Sequence, residues 1–311
     1  MHTNAKTLAI GDGANDVNMI TAAHVGIGIS GLEGQQAARS SDYAIGQFKF
    51  LIPLLFNHGR EAYRRNSYLV IYMFYKNVMF VTAQFWFGIR NAFSGQTLYE
   101  PYIYQLYNIV FTAFPVMWFA VYDMQFEASR FLKEPALYRI GLRNECFSTK
   151  VFFSNVLSAI FNGLVLCVII FYGNGGTKIN GTAKNGYFWI DGTLVYAAIV
   201  LIVNAIIFYR TSNHSVISVA LVVLSIASFW ACFWVESLFD IFGIFYGLFG
   251  DVVNSYDTYL VLSFCLWFNL AQHMIIHNFS VLQTQSIGDD EIEVSPFPPA
   301  PIKADPEIVV E

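Results

Sequence analysis

Two aspartates lie close together near the start of the chain, in the sequence GDGAND. Asp12 follows the short apolar run TLAIG, and Asp16 comes four residues later. Two carboxylates in one loop can hold a hard cation such as Mg²⁺ through oxygen ligands, usually with a phosphate sharing the shell. The same residue types also form ordinary polar turns. Taken alone, the motif leaves both interpretations open, a magnesium site and a turn.

The surrounding sequence predicts the elements that would position these aspartates. Strands and helices alternate along it, with strands at 7–11, 25–29 and 42–45 and helices at 16–23 and 33–38. Such alternation is typical of a parallel sheet, whose ligands bind at the carboxyl ends of the strands. Asp12 is therefore predicted at a binding edge, where Gly11 and Gly13 would let the backbone approach a ligand closely.

Composition changes after residue 65, from soluble sequence to long apolar segments. Hydrophobic residues make up 56% of the chain and charged residues 13%, against about 25% charged residues in a typical soluble domain. Six stretches have nearly the length of a membrane-spanning helix, at 69–89, 102–122, 151–172, 193–209, 216–235 and 258–276. The sequence therefore predicts an α-helical membrane domain of six spans.

The domain boundaries follow from this division. A soluble head (1–57) is predicted to continue through a helical stalk (58–68) into the membrane domain (69–279). The last segment, 280–311, is acidic and holds five of the nine prolines. That composition predicts a disordered tail, since it cannot bury a core.

The basic residues of the loops predict the orientation. Six spans put both termini on one side, and nine lysines and arginines lie in the loops of that side against three on the other. Both termini are therefore expected in the cytosol, and a glycosylation sequon at Asn180 is expected outside. The net charge of −5 offers no basic face, so no nucleic-acid partner is expected. The sequence does not distinguish the plasma membrane from internal membranes.

Lys76 is the only lysine, arginine, aspartate or glutamate inside a predicted span. A lysine at the centre of a span costs about 2.5–3.5 kcal/mol on insertion scales, so such residues tend to be functional. A functional Lys76 would face a wet groove beside Asn108, and the adjacent Asn77 could hydrogen-bond a lipid head group. The alternative is that the ammonium reaches back to the cytosolic interface.

The second predicted span carries Asn108, Thr112 and Pro115. Asn108 and Thr112 are four residues apart and would share one helix face. Pro115 removes a backbone hydrogen bond and is expected to kink or open the helix, so that freed carbonyls beside a cavity could meet a polar substrate. The alternative is a packing kink in which Asn108 bonds a neighbouring helix.

Several continuous stretches resemble one protein family. TLAIGDGANDVNMI (7–20) and HVGIGISGLEGQQAARSSDYAIGQFKFL (24–51) resemble the hinge region of the P-type ATPases, and most of all the type IV group, the phospholipid flippases. HGREAYRRNSYLVIYMFYKNV (58–78) and NIVFTAFP (108–115) are similar to the same group. The resemblance covers residues 5–125 closely and the later spans by pattern.

This resemblance implies roles for the candidate residues. The head would be the α/β remnant of a haloacid-dehalogenase-like phosphorylation domain that uses ATP and Mg²⁺. Asp12 would be a Mg²⁺ ligand, Asp16 would support the metal and the phosphorylation loop, and Asn15 would lie near nucleotide and phosphate. Lys76 would line the lipid path. The family usually has serine at the position of Ala113.

The resemblance also implies an activity. The family moves phospholipid towards the cytosolic leaflet through an aspartyl-phosphate cycle, usually with a small two-span glycosylated accessory subunit. The chain contains no D-K-T-G sequence, so it lacks the phosphorylated aspartate and is expected to be inactive by itself. The alternative hypothesis is a non-catalytic, truncated membrane module that acts in binding or scaffolding.

Overall fold

The computed structural model describes residues 6–31, 34–126, 130, 134–142, 144–173, 187–239 and 246–292. Only the backbone is described for residues 135, 136, 142, 187 and 277–292. Most of the predicted external loop, with its sequon at Asn180, lies outside these residues, as does the tail from residue 293 onwards.

The head contains a three-stranded parallel sheet. Its strands β1 (Leu8–Gly11), β2 (Val25–Ile29) and β3 (Tyr43–Ile45) pair in that order, and helices α1 (Val17–Ala22) and α2 (Gln36–Ser40) connect them. Ile27 of β2 is fully buried, because α1 and α2 cover the sheet with the buried side chains of Ile20 and Ala37. The predicted alternation of strands and helices is therefore found, with the second helix displaced by a few residues.

Helix α3 (Arg60–Arg90) carries the predicted stalk and the predicted first span in one piece, after a π-helical segment at Pro53–Gly59. Its 31 residues rise about 1.5 Å each, or about 46 Å in all, against a hydrocarbon thickness of about 30 Å. The helix is thus long enough to cross a membrane and to project beyond it.

The other helices follow in chain order: α4 (Pro101–Leu106), α5 (Ala113–Tyr122), α6 (Arg139–Leu142), α7 (Thr149–Gly173), α8 (Tyr187–Arg210), α9 (Val216–Leu238), α10 (Leu248–Val253) and α11 (Tyr256–Ile292). Within the described ranges, five segments are long and apolar enough to cross a membrane. They are Pro101–Tyr122, Thr149–Gly173, Phe188–Arg210, Val216–Leu238 and Tyr256–Ile276. The segment 69–89 of α3, which contains Lys76, Asn77 and Gln84, is not among the five.

Helix α8 is the centre of the bundle. It packs against α3, α5, α7, α9 and α11, and 78% of its most apolar window is buried, against 22–39% for the other four candidate spans. The outer helices expose large apolar side chains, including Phe153, Leu157 and Trp267. Exposed apolar faces of this extent are typical of a protein surrounded by lipid.

The predicted disordered tail begins at residue 280, and the backbone of residues 280–292 continues α11 as helix. The five prolines of the tail begin at Pro296, so none of them interrupts the helical hydrogen bonds before that point.

Candidate functional site

The first candidate region is the carboxylate loop, Gly11–Asp16, which follows the carboxyl end of β1. The Asp12 and Asn15 side chains are exposed, whereas Asp16 is half-buried. Asp16 Oδ2 accepts hydrogen bonds from the backbone N–H groups of Asp12, at 3.2 Å, and Gly13, at 3.3 Å. One carboxylate therefore closes the loop on itself while the other is presented to solvent at the edge where sheet ligands bind.

The two glycines of this loop differ in what they permit. A Cβ atom on Gly11 would lie 2.3 Å from the Cβ and 2.6 Å from the Cγ of Asp16. A Cβ atom on Gly13 would meet nothing nearer than 3.9 Å, and the φ of Gly13 is an ordinary −107°. Only position 11 requires glycine, because a side chain there would collide with the Asp16 side chain.

The donor set of the carboxylate loop fits Mg²⁺ only in part. Within the described ranges, no group of three or more His, Cys, Asp or Glu side chains could hold a metal ion. Mg²⁺ is commonly bound by one or two carboxylates, with waters and phosphate oxygens completing an octahedral shell. Asp12 and Asp16 could supply the one or two carboxylates of such a shell. The remaining ligands of the ion would have to come from other groups.

The second candidate region is the Lys76 cluster, formed by Lys76, Tyr107 and Thr112. Lys76 is 1% exposed. Its Nζ donates to Thr112 Oγ1 at 2.7 Å and lies 5.6 Å from the centroid of the Tyr107 ring. Thr112 Oγ1 donates to the Tyr107 carbonyl at 2.7 Å, and Tyr107 Oη donates to the Lys76 carbonyl at 3.1 Å. The polar groups of α3 and the second span thus satisfy one another.

This burial bears on both expectations about Lys76. Its side chain is turned into the protein and hydrogen-bonded there rather than exposed in a groove. Burial of an ammonium is unfavourable unless hydrogen bonds and ring faces replace its water. Thr112 and Tyr107 supply that replacement.

The second span is broken beside this cluster. Between α4 and α5 lies a π-helical segment, Tyr107–Phe111, and Thr112 has φ −138° and ψ −3°. Pro115 has no N–H to donate to the carbonyl of Phe111, and that carbonyl accepts instead from Asn204 Nδ2 at 2.9 Å. The second span is thus interrupted on the N-terminal side of Pro115, next to the position where the sequence predicts a kink or an opening.

The remaining residues of the predicted lipid path are placed differently. Asn77 is half-buried, and its Nδ2 donates to the Met73 carbonyl of its own helix at 2.9 Å. Asn108 is exposed whereas Thr112 is buried, and the backbone of Thr112 is not helical, so the expected shared helix face is not found. Of the predicted path residues, the described contacts join Lys76 directly to Thr112.

Two buried asparagines that bond other helices were missed by the sequence analysis. Asn204 of α8 donates to the carbonyls of Phe111 and Val200, each at 2.9 Å. Asn162 of α7 donates to Tyr75 Oη at 2.8 Å. Both are fully buried. The sequence signal for both was a polar residue within an apolar run. Such a residue is energetically unfavourable in a membrane and is usually functional.

A charged network at the start of α3 was also missed. Glu61 accepts from Arg60 and, at 2.9 Å, from Arg64, which also donates to Asp123 at 2.7 Å. Asp123 is 1% exposed, and it accepts from the N–H groups of Ser212 and Asn213. Burial lowers the pKa of Arg60 and the Glu61 carboxylate opposes this shift. The network ties the stalk to the end of the second span and to the α8–α9 loop.

Comparison with known families gives a match to residues 38–285, by the model described as phospholipid-translocating P-type ATPase C-terminal. The match spans well over half of the chain. The chain belongs to the phospholipid-translocating P-type ATPases. The flippase resemblance is therefore confirmed, together with the apolar helices expected of a multi-pass membrane protein.

Curated relatives agree with this assignment. Phospholipid-transporting ATPase DRS2 of Saccharomyces cerevisiae is 45% identical over 199 residues, which are 63% of the chain and 14% of that relative. Phospholipid-transporting ATPase ID of Homo sapiens is 39% identical over 259 residues, 83% of the chain and 21% of the relative. Probable phospholipid-transporting ATPase IM of Homo sapiens is 37% identical over 270 residues, which are 86% of the chain and 22% of that relative. The chain spans about a fifth or less of the length of these relatives.

Proposed function

We propose that the chain is the C-terminal part of an ATP-driven flippase that moves phospholipid towards the cytosolic leaflet through an aspartyl-phosphate cycle. The observation that supports this most is the buried Lys76 ammonium, bonded to Thr112 beside a broken membrane helix. A cation kept at that depth, next to backbone that can rearrange, suits an anionic phosphate that crosses the bilayer.

The head, residues 1–57, is proposed as the remnant of a haloacid-dehalogenase-like phosphorylation domain. Asp12 would ligate Mg²⁺ directly, since its carboxylate is exposed at the strand edge. Asp16 would support the metal and hold the loop in shape through its two backbone contacts. Asn15 would meet the nucleotide or phosphate. Bound Mg²⁺ would neutralise charge on the phosphate that comes from ATP.

The membrane domain is proposed to have six spans, with α3 as the first. Although segment 69–89 is less apolar than the others, α3 packs along α7 and α8 inside the bundle. With six spans, both termini lie in the cytosol, on the side of the nine basic loop residues. The charged network of Arg60, Glu61, Arg64 and Asp123 would then transmit movement of the head to the second span.

The lipid path is proposed to run past Lys76, Asn77, Asn108, Thr112 and Pro115. Lys76 is already bonded to Thr112, so a head-group phosphate must replace that hydroxyl as the partner of Nζ. The broken segment Tyr107–Phe111 lacks regular α-helical bonding and could shift to allow the exchange. By analogy with the family, we also propose a small two-span glycosylated accessory subunit as a partner. The location proposed on the same ground is the plasma membrane or an internal membrane.

A chimera tests this function. The matched region of the Saccharomyces cerevisiae relative is replaced by this chain, and uptake of fluorescent phosphatidylserine, phosphatidylethanolamine and phosphatidylcholine is measured in cells that lack the relative. Transport of any of them at about the rate of the unmodified relative supports the proposal. An expressed chimera that forms a phosphoenzyme but transports none of these lipids favours the alternative, a non-catalytic module. The chain alone should hydrolyse no ATP.

A further inference from the structure

Two glutamates from different helices meet at the end of the bundle away from the stalk. Glu100 directly precedes α4, and Glu236 lies in the last turn of α9. The two helices pack against each other, and the Glu236 carboxyl hydrogen-bonds the Glu100 carboxyl. We call this pair the carboxyl clasp. It connects the first half of the broken second span to the fifth predicted span.

Glu100 is held in place by the helix that it begins. It is 8% exposed, and its Oε2 accepts from the Ile103 N–H at 2.7 Å as the N-cap of α4. Such a cap satisfies an N–H group that the first helical turn leaves without a backbone partner. A movement of this carboxyl away from α9 would therefore also remove the cap of α4.

Glu236 lies at a helix end that is itself fixed. The adjacent Ser237 is buried, its Oγ accepts from the Phe249 N–H at 3.0 Å, and its carbonyl accepts from the Gly247 N–H at 3.2 Å. Glu236 Oε2 is buried, and no N–H or O–H group of the described residues donates to it. A buried acceptor without a donor is costly. A proton held between the two carboxyls would remove that cost.

The titratable groups nearest to the clasp do not replace this proton. Tyr196 of α8 lies near Glu100, but its Oη donates to the Ile103 carbonyl at 2.8 Å. Cys232 lies one turn before Glu236 on α9 and has a free thiol, which is a weak donor. The strong O–H donor on the neighbouring helix is therefore already used by another acceptor.

No arginine or lysine of the described residues is paired with the clasp. The four ion pairs in that part of the chain join arginines to other carboxylates. Tyr104 of α4 and Asp251 of α10, the other titratable side chains of these neighbouring helices, are exposed. Two ionised carboxylates in contact repel each other, and their burial without a counter-ion is unfavourable. A single proton shared by the pair is thus the state that this arrangement favours.

We propose that the carboxyl clasp is a pH-sensitive device, in which Glu100 and Glu236 share one proton while closed and separate when rising pH removes that proton to water. In the closed state, α4 is held to α9 by the clasp and to α8 by the Tyr196 hydroxyl. In the open state the tie to α9 is lost. Because the π-helical segment Tyr107–Phe111 separates α4 from α5, α4 can then move while α5 stays in place.

Thermal unfolding of the complete chain in detergent, between about pH 5.5 and about pH 9.5, tests the clasp through the linkage of protonation to stability. Glu236→Gln keeps the shape of the side chain, and its amide N–H donates to the Glu100 carboxylate at every pH, so this variant stays closed. As the pH rises, the melting temperature of the unaltered chain should fall by at least about 3 °C relative to Glu236→Gln, because a hydrogen bond to a charged group is lost. Other groups titrate in both proteins, so their difference isolates the clasp.

Two further variants make the test specific. Glu236→Leu lacks the hydrogen bond at every pH. Its melting temperature should lie below that of the unaltered chain at low pH by about the same amount, and it should not fall further relative to Glu236→Gln. Asp251→Asn is the matched control and should follow the unaltered chain, since Asp251 is an exposed carboxylate on α10, which packs against α9.

Hydrogen exchange locates the opening. At high pH, the amides of residues 101–106 should exchange at least about fivefold faster in the unaltered chain than in Glu236→Gln, because α4 opens locally once the clasp is lost. At low pH the two proteins should agree. The amides of α7 should exchange equally in both proteins throughout, and comparison at one pH cancels the chemical exchange rate.

Several outcomes would overturn the proposal. If the unaltered chain and Glu236→Gln had the same pH dependence, no proton would be shared and lost in that range. If Glu236→Leu were as stable as the unaltered chain at low pH, the closed pair would contribute nothing. A change of pH dependence in Asp251→Asn as large as that in Glu236→Gln would assign the effect to net acidic charge. Exchange that rose equally in α4 and α7 would mean global unfolding.

The clasp and the proposed flippase function can fail separately, since these measurements involve neither ATP nor transport. A chimera that transports phospholipid, while Glu236→Gln and the unaltered chain share one pH dependence, retains the flippase function and loses the clasp. The expected pH dependence together with a chimera that transports nothing retains the clasp and loses the transport function.

Discussion

The carboxylate loop and the Lys76 cluster hold their ionisable groups in opposite settings. Asp12 is exposed at the strand edge, and Asp16 is fixed by two backbone N–H groups. Lys76 is 1% exposed, and its Nζ is bonded to a hydroxyl that is itself bonded. A carboxylate in water can bind a ligand without rearrangement, whereas a buried ammonium must first exchange its partner. Under the proposed function, the head would bind Mg²⁺ without rearrangement, whereas the bundle would have to move before Lys76 could bind a phosphate.

Loss of Asp12 should have the largest effect. In the transport chimera, Asp12→Asn should reduce ATP-dependent transport at least about 100-fold, because charge stabilisation by a metal is worth several kcal/mol and each 1.36 kcal/mol is tenfold in rate. The melting temperature should not change, since the side chain is exposed. The control is Asp42→Asn, which keeps an oxygen that can accept from the Gly26 N–H and should transport normally. Normal transport by Asp12→Asn would contradict the metal role.

Loss of the Lys76 ammonium should come next. Lys76→Met should lower lipid transport by the chimera about tenfold or more, since a hydrogen bond to a charged group contributes about 1.5–3 kcal/mol. Phosphoenzyme formation without lipid should continue, because the head is unchanged. Lys49→Met, at an exposed position of the head, is the control and should transport normally. Unchanged transport and lipid dependence in Lys76→Met would mean that the buried ammonium is structural only.

A methyl group on Gly11 should have a moderate effect that is confined to the head. Gly11→Ala would place its Cβ against Asp16 and should cost about 1–3 kcal/mol, as overpacking does. Gly13→Ala is the matched control and should change stability by less than about 0.5 kcal/mol. Hydrogen exchange of the β1 and β2 amides in the complete chain measures the change in stability of each variant. Equal protection in the two variants would show that the loop relaxes around Asp16 without strain.

Removing the Asn204 amide should have the smallest effect. Asn204→Leu leaves the Phe111 carbonyl without its donor, and interhelical hydrogen bonds in membranes contribute about 0.6–1.7 kcal/mol. Asn269→Leu is the control, since the Asn269 amide donates to the Cys265 carbonyl of its own helix. Its loss should lower the free energy of unfolding by less than the loss of the Asn204 amide. Thermal unfolding in detergent compares them. A larger loss for Asn269→Leu would show that the break near Pro115 needs no support from α8.

Local pattern was enough to predict several parts of the fold. The strands of the head and the apolar helices at 151–172, 193–209, 216–235 and 258–276 are found close to the predicted positions, because periodicity and length are properties of neighbouring residues. The opening near Pro115 was predictable for the same reason, since a proline lacks its N–H whatever surrounds it. The predicted span at 69–89 is not among the five candidate spans of the described residues, because its polar residues dilute the apolar signal.

The sequence by itself determined which chemical groups are present: two carboxylates four residues apart, one lysine in an apolar run and one proline that must break a helix. Only the tertiary structure decided their states. It turned Asp16 inward and left Asp12 outside, it paired Lys76 with Thr112 rather than with water, and it brought Asn204 to the carbonyl that Pro115 leaves free. The physical reason is distance along the chain. The partner of Lys76 lies 36 residues away and that of Phe111 lies 93 residues away, so burial and pairing depend on helix packing that no local pattern encodes.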